Sequence, residues 1–496
     1  MDVVFKATRN LTPSDRENLA LGLFEERSDH ASVIKAHPEL SPVLARFLGL
    51  NDFQGKVGEC AVLYPQEGNV MRCLVVGLGK RAEFAPVRAL EAAAQATRRA
   101  RKLGLSRLSF VLPPGAGRRL ASLEAASEGA VLGTYSFDRF KEKKPDEKGP
   151  LEQVVLASRD GGSSAALAHA CRTGVVIADS VGFVRDLCTL PSNFKTPTQV
   201  AETARKMARK QGFSCSILGQ AEMEKLGMGA ILGVARGSAE PPAFVILEHK
   251  PAKSRSKRPV VLVGKGITFD TGGISLKPAD NMHHMKDDMT GGAIVLAALK
   301  TCAELDLPQH VVGLAPFTEN MPGGRAQKPG DIVRAMNGKT IEVLNTDAEG
   351  RLILSDALAY AERYKPAALV DLATLTGAVS VALGRFAIGA MGTDQRLIER
   401  LRQAGEETGE RLWQLPLWDD YLELMRGEAA DLKNTGGREA GTITAAAFLR
   451  EFARHSPWCH LDIAASAWGQ EEKAWQPKGP TGHGLRMLVQ FLRSWR

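Results

Sequence analysis

Apolar and polar positions follow two alternating patterns along the first 160 residues. Short apolar runs such as Cys73–Gly77 and Leu108–Leu112 read as strands, because breaker-bounded aliphatic runs suit a strand covered on both faces. Between them, a stretch opened by Pro86 and rich in Ala and Arg reads as a helix, since proline's fixed φ and missing N–H suit a first helical turn. Phe140–Pro150 is charged, breaker-rich and poor in core residues, which predicts an exposed loop. Residues 162–188 hold few breakers and recurring apolar positions, predicting one long helix that connects two domains. Beyond Phe213, apolar runs at Ala243–Leu247, Pro259–Gly264, His310–Leu314, Thr340–Leu344 and Ala368–Leu372 alternate with helical stretches such as Gly291–Cys302.

The predicted architecture is therefore α/β in two domains: a smaller N-terminal α/β domain over 1–160, a connecting helix over 161–190, and a larger C-terminal catalytic α/β domain over 191–496. The last is expected to hold a mixed, mostly parallel central sheet. No repeat of 20–50 residues and no low-complexity tract interrupts it.

Composition narrows the class. The chain has 496 residues, 44% hydrophobic and 24% charged, the balance of a globular protein with a large core. The longest uncharged stretch, Leu372–Gly384, falls short of the roughly 20 residues that span a bilayer. The N-terminus has an acid at position 2 and lacks a signal-peptide apolar run, so a cytoplasmic location without membrane contact is expected. Cys60, Cys73, Cys171, Cys188, Cys215, Cys302 and Cys459 form no Cys-x-x-Cys pair and read as reduced core residues. A net charge of +8, with 23 basic against 18 acidic residues over 1–150, permits nucleic-acid contact without requiring it. Lys250–Arg258 is basic but has no interleaved aromatic residues for base stacking, and reads as a solvated loop between strands.

Candidate chemistry lies in carboxylates at strand ends and helix starts. Asp270 follows a strand in Gly264-Lys-Gly-Ile-Thr-Phe-Asp-Thr-Gly-Gly273, Asp288 lies in Met285-Lys-Asp-Asp-Met289, and Asp347 and Glu349 lie in Asn345-Thr-Asp-Ala-Glu-Gly-Arg-Leu352. Acids at such junctions can converge on one crevice at the carboxyl edge of a sheet. Four carboxylates there need compensating protons or cations. A dinuclear divalent-metal site supplies them; helix capping and ion pairs to Lys265, Lys277, Lys286 and Arg351 are the alternative.

The octapeptide Asn345–Leu352 resembles the signature of the leucyl aminopeptidase family, the M17 cytosol aminopeptidases. Gly264–Gly273, Met285–Met289, Glu319-Asn-Met-Pro322, Lys328-Pro-Gly-Asp331, Asp371-Leu-Ala-Thr-Leu-Thr-Gly-Ala378 and Trp458-Cys-His-Leu-Asp-Ile-Ala464 resemble further family blocks in order, over roughly residues 180–490. The N-terminal region is similar only in size and α/β character. The resemblance implies removal of an N-terminal residue, Leu or Met preferred, from peptides by a metal-bridged hydroxide. It implies two divalent ions, Mn or Zn, with Asp270 and Glu349 bridging, Asp347 on one ion, and Lys265 and Asp288 on the other. It makes Lys277 the oxyanion stabiliser and Arg351 the holder of a bicarbonate ion. It places Met285, Asn345, Thr374, Leu375 and Gly377, with Ser466, at the substrate, and implies a homohexamer of two stacked trimers. Asp287 and Gly292 depart from the family pattern. His283 and His284 are expected at the surface or behind the ligands, and His460 and His483 in structural roles. Neither His-Glu-x-x-His nor Gly-x-Ser-x-Gly occurs. Two competing expectations are a basic N-terminal domain that binds DNA or a partner, and a structural protein that keeps the fold without turnover.

Overall fold

A computed structural model describes residues 4–8, 11–113, 119–142, 149–158, 163–254 and 258–495. The middle of the Phe140–Pro150 loop and three residues of the Lys250–Arg258 loop lie outside the described residues. The chain divides into two compact units, 1–182 with 471–477, and 183–470 with 478–496.

In the first unit, β1 (Val4–Thr8), β2 (Asn18–Leu23), β3 (Cys60–Leu63), β4 (Arg72–Gly77), β5 (Arg107–Leu112) and β6 (Gln153–Ser158) form one sheet. Its order is β1-β6-β5-β2-β4-β3, parallel except for the β3–β4 pair. Period-2 geometry sorts its side chains into two cores. Leu19, Leu21, Leu23, Cys73 and Val75 join Val33, Leu40 and Leu44 on one face. Ala20, Leu74, Val76, Leu108 and Phe110 meet the alanine face of the helix Pro86–Leu103 on the other. That helix has Pro86 in its first turn and ends at Gly104 with φ +76°, a left-handed conformation natural to glycine.

The helix Ser164–Thr189 matches the long helix read from the sequence. It is long and apolar enough by composition to cross a membrane, yet more than half of its apolar window is buried inside the fold. It also carries Arg172, Asp179, Arg185 and Asp186, as a core helix of a globular unit can. All seven cysteines are unpaired.

The second unit contains β7 (Ser214–Leu218), β8 (Ala243–His249), β9 (Val260–Gly264), β10 (Gly266–Asp270), β11 (Val311–Asn320), β12 (Ile332–Arg334), β13 (Thr340–Glu342), β14 (Ala368–Ala373), β15 (Ile388–Gly392), β16 (Leu412–Gln414), β17 (Leu432–Lys433) and β18 (Trp458–Asp462). The main sheet runs β16-β15-β18-β14-β9-β11-β8-β7, with β10 extending the pairing of β11. Its β9, β11, β14 and β18 neighbours are parallel, and the flanking pairs β15–β18, β8–β11 and β7–β8 are antiparallel, so the sheet is mixed and mostly parallel. Strands β9, β14 and β18 are buried along their whole length, as parallel strands covered on both faces must be. The Thr340 run departs from the sequence reading. It stops at Glu342 and pairs with β12 and β17 in a separate small sheet, because Ile341 alone of its three residues is fully buried.

The carboxyl ends of β9, β10, β11, β14 and β18 deliver Lys265, Asp270, Asn320, Thr374 and Asp462 to one edge of the sheet. Glycine fixes how closely the helix Thr290–Glu304 meets that edge. A Cβ on Gly264 would lie 2.3 Å from the Gly291 carbonyl oxygen, and one on Gly291 would lie 2.1 Å from that of Leu372. The Lys265 backbone is held there by N–H donation to Leu372 O at 3.0 Å and by acceptance from Gly292 N–H at 2.6 Å. Gly292 has its own reason: a Cβ would come within 2.9 Å of the Phe317 ring. Gly291→Ala is therefore expected to destabilise the protein by about 1–3 kcal/mol. Urea unfolding should show a lower midpoint with an unchanged m-value, and a parent-like midpoint would show that the approach is slack.

Candidate metal centre

Tight loops between strand and helix present the charged side chains. After β10, Gly272 (φ +86°) and Gly273 (φ +68°) turn the chain back, and Gly272 N–H donates to Asp270 Oδ1 at 2.9 Å. Thr346 ties this loop to the next by donating to Gly272 O at 2.6 Å and accepting from Ser275 N–H at 2.8 Å. The loop bearing Lys277 thus faces the loop bearing Asp347. Asn345 Oδ1 accepts the Asp347 N–H at 2.9 Å, and Glu349 opens the helix Glu349–Ala361.

Asp270, Asp347 and Glu349 each offer an oxygen within 4.8 Å of the others, and among the described residues they form the group able to hold a cation. Asp288 joins them through Lys265, whose ammonium lies 2.8 Å from Asp288 Oδ1 and 2.9 Å from Glu349 Oε1, and donates to Thr374 O at 3.0 Å. Lys277 lies 2.9 Å from Asp270 Oδ2 and also pairs with Asp347. Thr374 Oγ1 donates to Asp288 Oδ1 at 2.7 Å. Lys265, Asp270, Asp288 and Glu349 are buried, whereas Asp347 and Lys277 open toward solvent.

Burial and crowding shift these groups. Burial pushes the Asp288 carboxyl well up, with Glu349 and Asp270 adding to the rise and Lys265 opposing it. Glu349 rises for the same reasons, burial first and Asp270 next, and Asp347 rises chiefly by burial. Burial works against the ammonium of Lys265, but Asp288, Glu349 and Asp270 outweigh it and hold the proton more tightly than usual. Lys277 behaves alike under Asp270, Glu349 and Asp347. Arg351 is buried one turn beyond Asp347, and burial pushes it down to about 10.

One atom tests whether this cluster fits a metal. Asp288 Oδ2 is buried with no hydrogen-bond partner. A buried carboxylate oxygen left bare is costly, and coordination would satisfy it. The donor set, four carboxylates with a lysine that can donate once deprotonated, suits hard or borderline divalent ions.

The remaining sequence candidates are placed less directly. Met285 is half-buried in the turn Met282–Asp287. Leu375 N–H and Thr376 Oγ1 donate to the fully buried Asp462, at 3.3 and 2.6 Å, and Gly377 follows exposed at the start of a helix. Ser466 is buried and donates to Ile463 O at 3.4 Å. His283 is exposed, and His284 packs tilted against Trp468 with ring centroids 4.3 Å apart; neither belongs to the cation-holding group. His460 is wholly buried and pairs with Asp371 at 2.6 Å, and Asp371 also accepts from Trp458 Nε1 at 2.7 Å. Cavities of about 550 Å³ beside Arg236 and about 800 Å³ beside Trp495 share no lining residue with the centre.

Sequence reasoning missed Asn320. Its Nδ2 donates to Asp270 Oδ1 at 2.8 Å, to Thr346 O at 3.1 Å and to Glu349 Oε2 at 3.4 Å, holding two acids in register. Its block, Glu319–Pro322, was recognisable, but a neutral amide carries no charge signal.

The catalytic-domain model of the cytosol aminopeptidase family matches residues 182–489, and its N-terminal-domain model matches residues 20–144. The chain belongs to the cytosol aminopeptidase family. A probable cytosol aminopeptidase of Geobacter sulfurreducens is 46% identical over 460 residues, 92% of each chain. One of Roseiflexus castenholzii is 46% identical over 481 residues, 96% of each. Among solved structures, a tomato leucine aminopeptidase variant superposes with a TM-score of 0.89 at 32% identity, covering 99% of this chain and 96% of that one. The bottromycin maturation enzyme BotP in complex with Mn gives 0.85 at 34%, covering 97% and 99%. This chain is accordingly a metal-dependent aminopeptidase, a metallo-exopeptidase that acts on peptides. Nothing in the centre or among these relatives supports the DNA-binding expectation.

If Asn320 keeps Asp270 and Glu349 aligned, Asn320→Ala should weaken Mn²⁺ binding about 10- to 100-fold with little change in fold. Calorimetric titration of chelator-stripped protein, beside circular dichroism, checks this; unchanged affinity would remove Asn320 from the centre.

Proposed function

We propose that the enzyme removes N-terminal residues, with Leu and Met preferred, using two divalent ions, Mn or Zn. Asp270 and Glu349 would hold both ions, Asp347 one of them, and Asp288 the other together with Lys265, whose nitrogen can ligate only once the incoming cation has driven off the proton that the acids hold on it. When bound, such ions supply Lewis acidity and water activated near neutral pH. The observation that carries the reading is the convergence of Asp270, Asp288, Asp347 and Glu349 with two lysines, one Asp288 oxygen remaining bare.

The chain's own groups divide the remaining work. Lys277, charged and partly open to solvent, is the donor for the oxyanion that develops at the scissile carbonyl. Asp288 draws the free α-amine of the substrate, so an N-acetylated peptide loses its anchor. Arg351 offers a buried cation with Nε unpartnered, suited to a bicarbonate ion that carries the water proton toward the leaving amine. Met285, Asn345, Thr374, Leu375 and Gly377 border the side-chain pocket, and an apolar pocket separates residues differing by one methylene by only about 1–3 kcal/mol. The exposed Val381, Phe386, Trp413 and Trp418 support burial against further copies in a homohexamer. Free cysteines suit the reducing cytoplasm.

Leucine p-nitroanilide should be cleaved by chelator-stripped enzyme only after Mn or Zn is restored, and its N-acetyl derivative not at all. Asp270→Ala and Glu349→Ala should abolish turnover with the fold intact, and normal rates in both would sink the reading. Lys277→Ala should lower kcat about 100- to 1000-fold with little change in KM. Sedimentation equilibrium should return six times the 53.4 kDa chain mass.

A further inference from the structure

Thr376 lies between Leu375 and Gly377 and has no part in the reaction as read above. Its surroundings follow from the sheet. β14 and β18 run parallel with Ala373 beside Asp462, which brings the Asp462 side chain next to the chain where it leaves β14. Asp462 Oδ2 accepts the Thr376 hydroxyl at 2.6 Å, and its Oδ1 accepts the N–H of Leu375 at 3.3 Å and that of Ala464 at 3.2 Å. A hydroxyl carries one proton and two lone pairs. Thr376 gives that proton to Asp462, so its 2.9 Å contact with Thr442 Oγ1 is a bond accepted from Thr442. Its other lone pair takes the Val379 N–H at 3.3 Å, capping the helix Gly377–Leu383. The hydroxyl is thus fully used, and both Asp462 and Thr442 are buried.

The strip from Thr374 to Gly377 is pinned at its other end by the metal centre, where Thr374 O accepts from Lys265 and Thr374 Oγ1 donates to Asp288. We infer that the Thr376 hydroxyl, held between Asp462 and Thr442, positions this strip and so sets how strictly the enzyme discriminates among N-terminal side chains. Thr376 is a positioning residue that acts through its neighbours. Discrimination by an apolar pocket depends on close contact with the larger side chain, and a wall that yields loses that contact while a small side chain loses little. Valine has the shape of threonine without its hydroxyl. It leaves Asp462 Oδ2 without its donor and the Thr442 hydroxyl without its acceptor, two buried groups whose desolvation is no longer offset, which favours a displaced strip. The inference rests on the reading of Thr374, Leu375 and Gly377 as the border of the side-chain pocket.

The readout is the ratio of kcat/KM for leucine p-nitroanilide to that for alanine p-nitroanilide, measured on Mn²⁺-loaded enzyme. Loss of folded or metal-loaded molecules lowers both values alike and cancels in the ratio. Thr376→Val should lower the ratio about tenfold, with KM for leucine p-nitroanilide rising, whereas Thr376→Ser, which keeps the hydroxyl, should stay within about twofold of the parent. A parent-like ratio in Thr376→Val, or an equal fall in Thr376→Ser, overturns the inference. Should Thr376→Val fail to fold, Thr442→Val removes the donor behind Thr376 and should lower the ratio too; a parent-like ratio there also overturns the inference. Gly377→Ala separates the two levels. A Cβ there meets no atom within 4 Å, so it leaves the fold alone and intrudes on the pocket if the strip borders it. An unchanged ratio in Gly377→Ala overturns the pocket reading, whereas a lowered ratio there with a parent-like ratio in Thr376→Val overturns the positioning role alone.

Discussion

Charge compensation among Asp270, Asp288, Asp347 and Glu349 is the constraint on which the rest of this centre depends. Four acids within reach of one another cannot all be ionised in a buried edge without cations between them. Lys265 and Lys277 sit at those positions, each contacting two of the acids. A metal ion and an ammonium compete for the same oxygens, so the electrostatics that hold the lysines also describe what an incoming dication must displace. Asp288 Oδ2 is a buried oxygen that the lysines leave unsatisfied.

The sheet makes that crowding possible. Parallel strands β9, β14 and β18 end together at one edge, and the connections beyond them must turn sharply toward helices. Hydrogen bonds between loops do the alignment. Thr346 joins the Lys277 loop to the Asp347 loop, Asn320 joins Asp270 to Glu349, and Asp462 steadies the turn after β14 through Leu375 and Thr376. Thr346 and Asn320 are neutral groups that hold charged residues or the loops bearing them, and Asp462 is a buried acid that fixes the turn after Thr374.

Legibility in the sequence followed chemistry and periodicity. The long helix Ser164–Thr189 was readable from its recurring apolar positions and few breakers, and the buried strands because a continuous apolar run has few other uses. The acids were readable because charge at a strand-to-helix junction is conspicuous, and the octapeptide Asn345–Leu352 tied them to a family. Asn320 and Thr346 were not, since amides and hydroxyls occur everywhere and acquire meaning only from their partners. Lys195 was hidden for another reason: a lysine after a helix reads as surface, and only the fold shows it buried and donating to the Lys286 carbonyl in the turn before Asp288. The Thr340 run was readable as a strand but not as a member of a separate sheet, because pairing partners such as Leu432 lie far along the chain.

The approach of Gly264 to Gly291 and of Gly291 to Leu372 reaches beyond stability. Backbone meets backbone there, with no side chain between that can rotate or compress. The spacing between Lys265 on the strand side and Asp288, three residues before Gly291, is thus set by the thickness of the main chain itself. A centre gauged in this way owes its aperture to main chain rather than to side-chain packing, and variation in what the enzyme accepts is left to the loops around the rim.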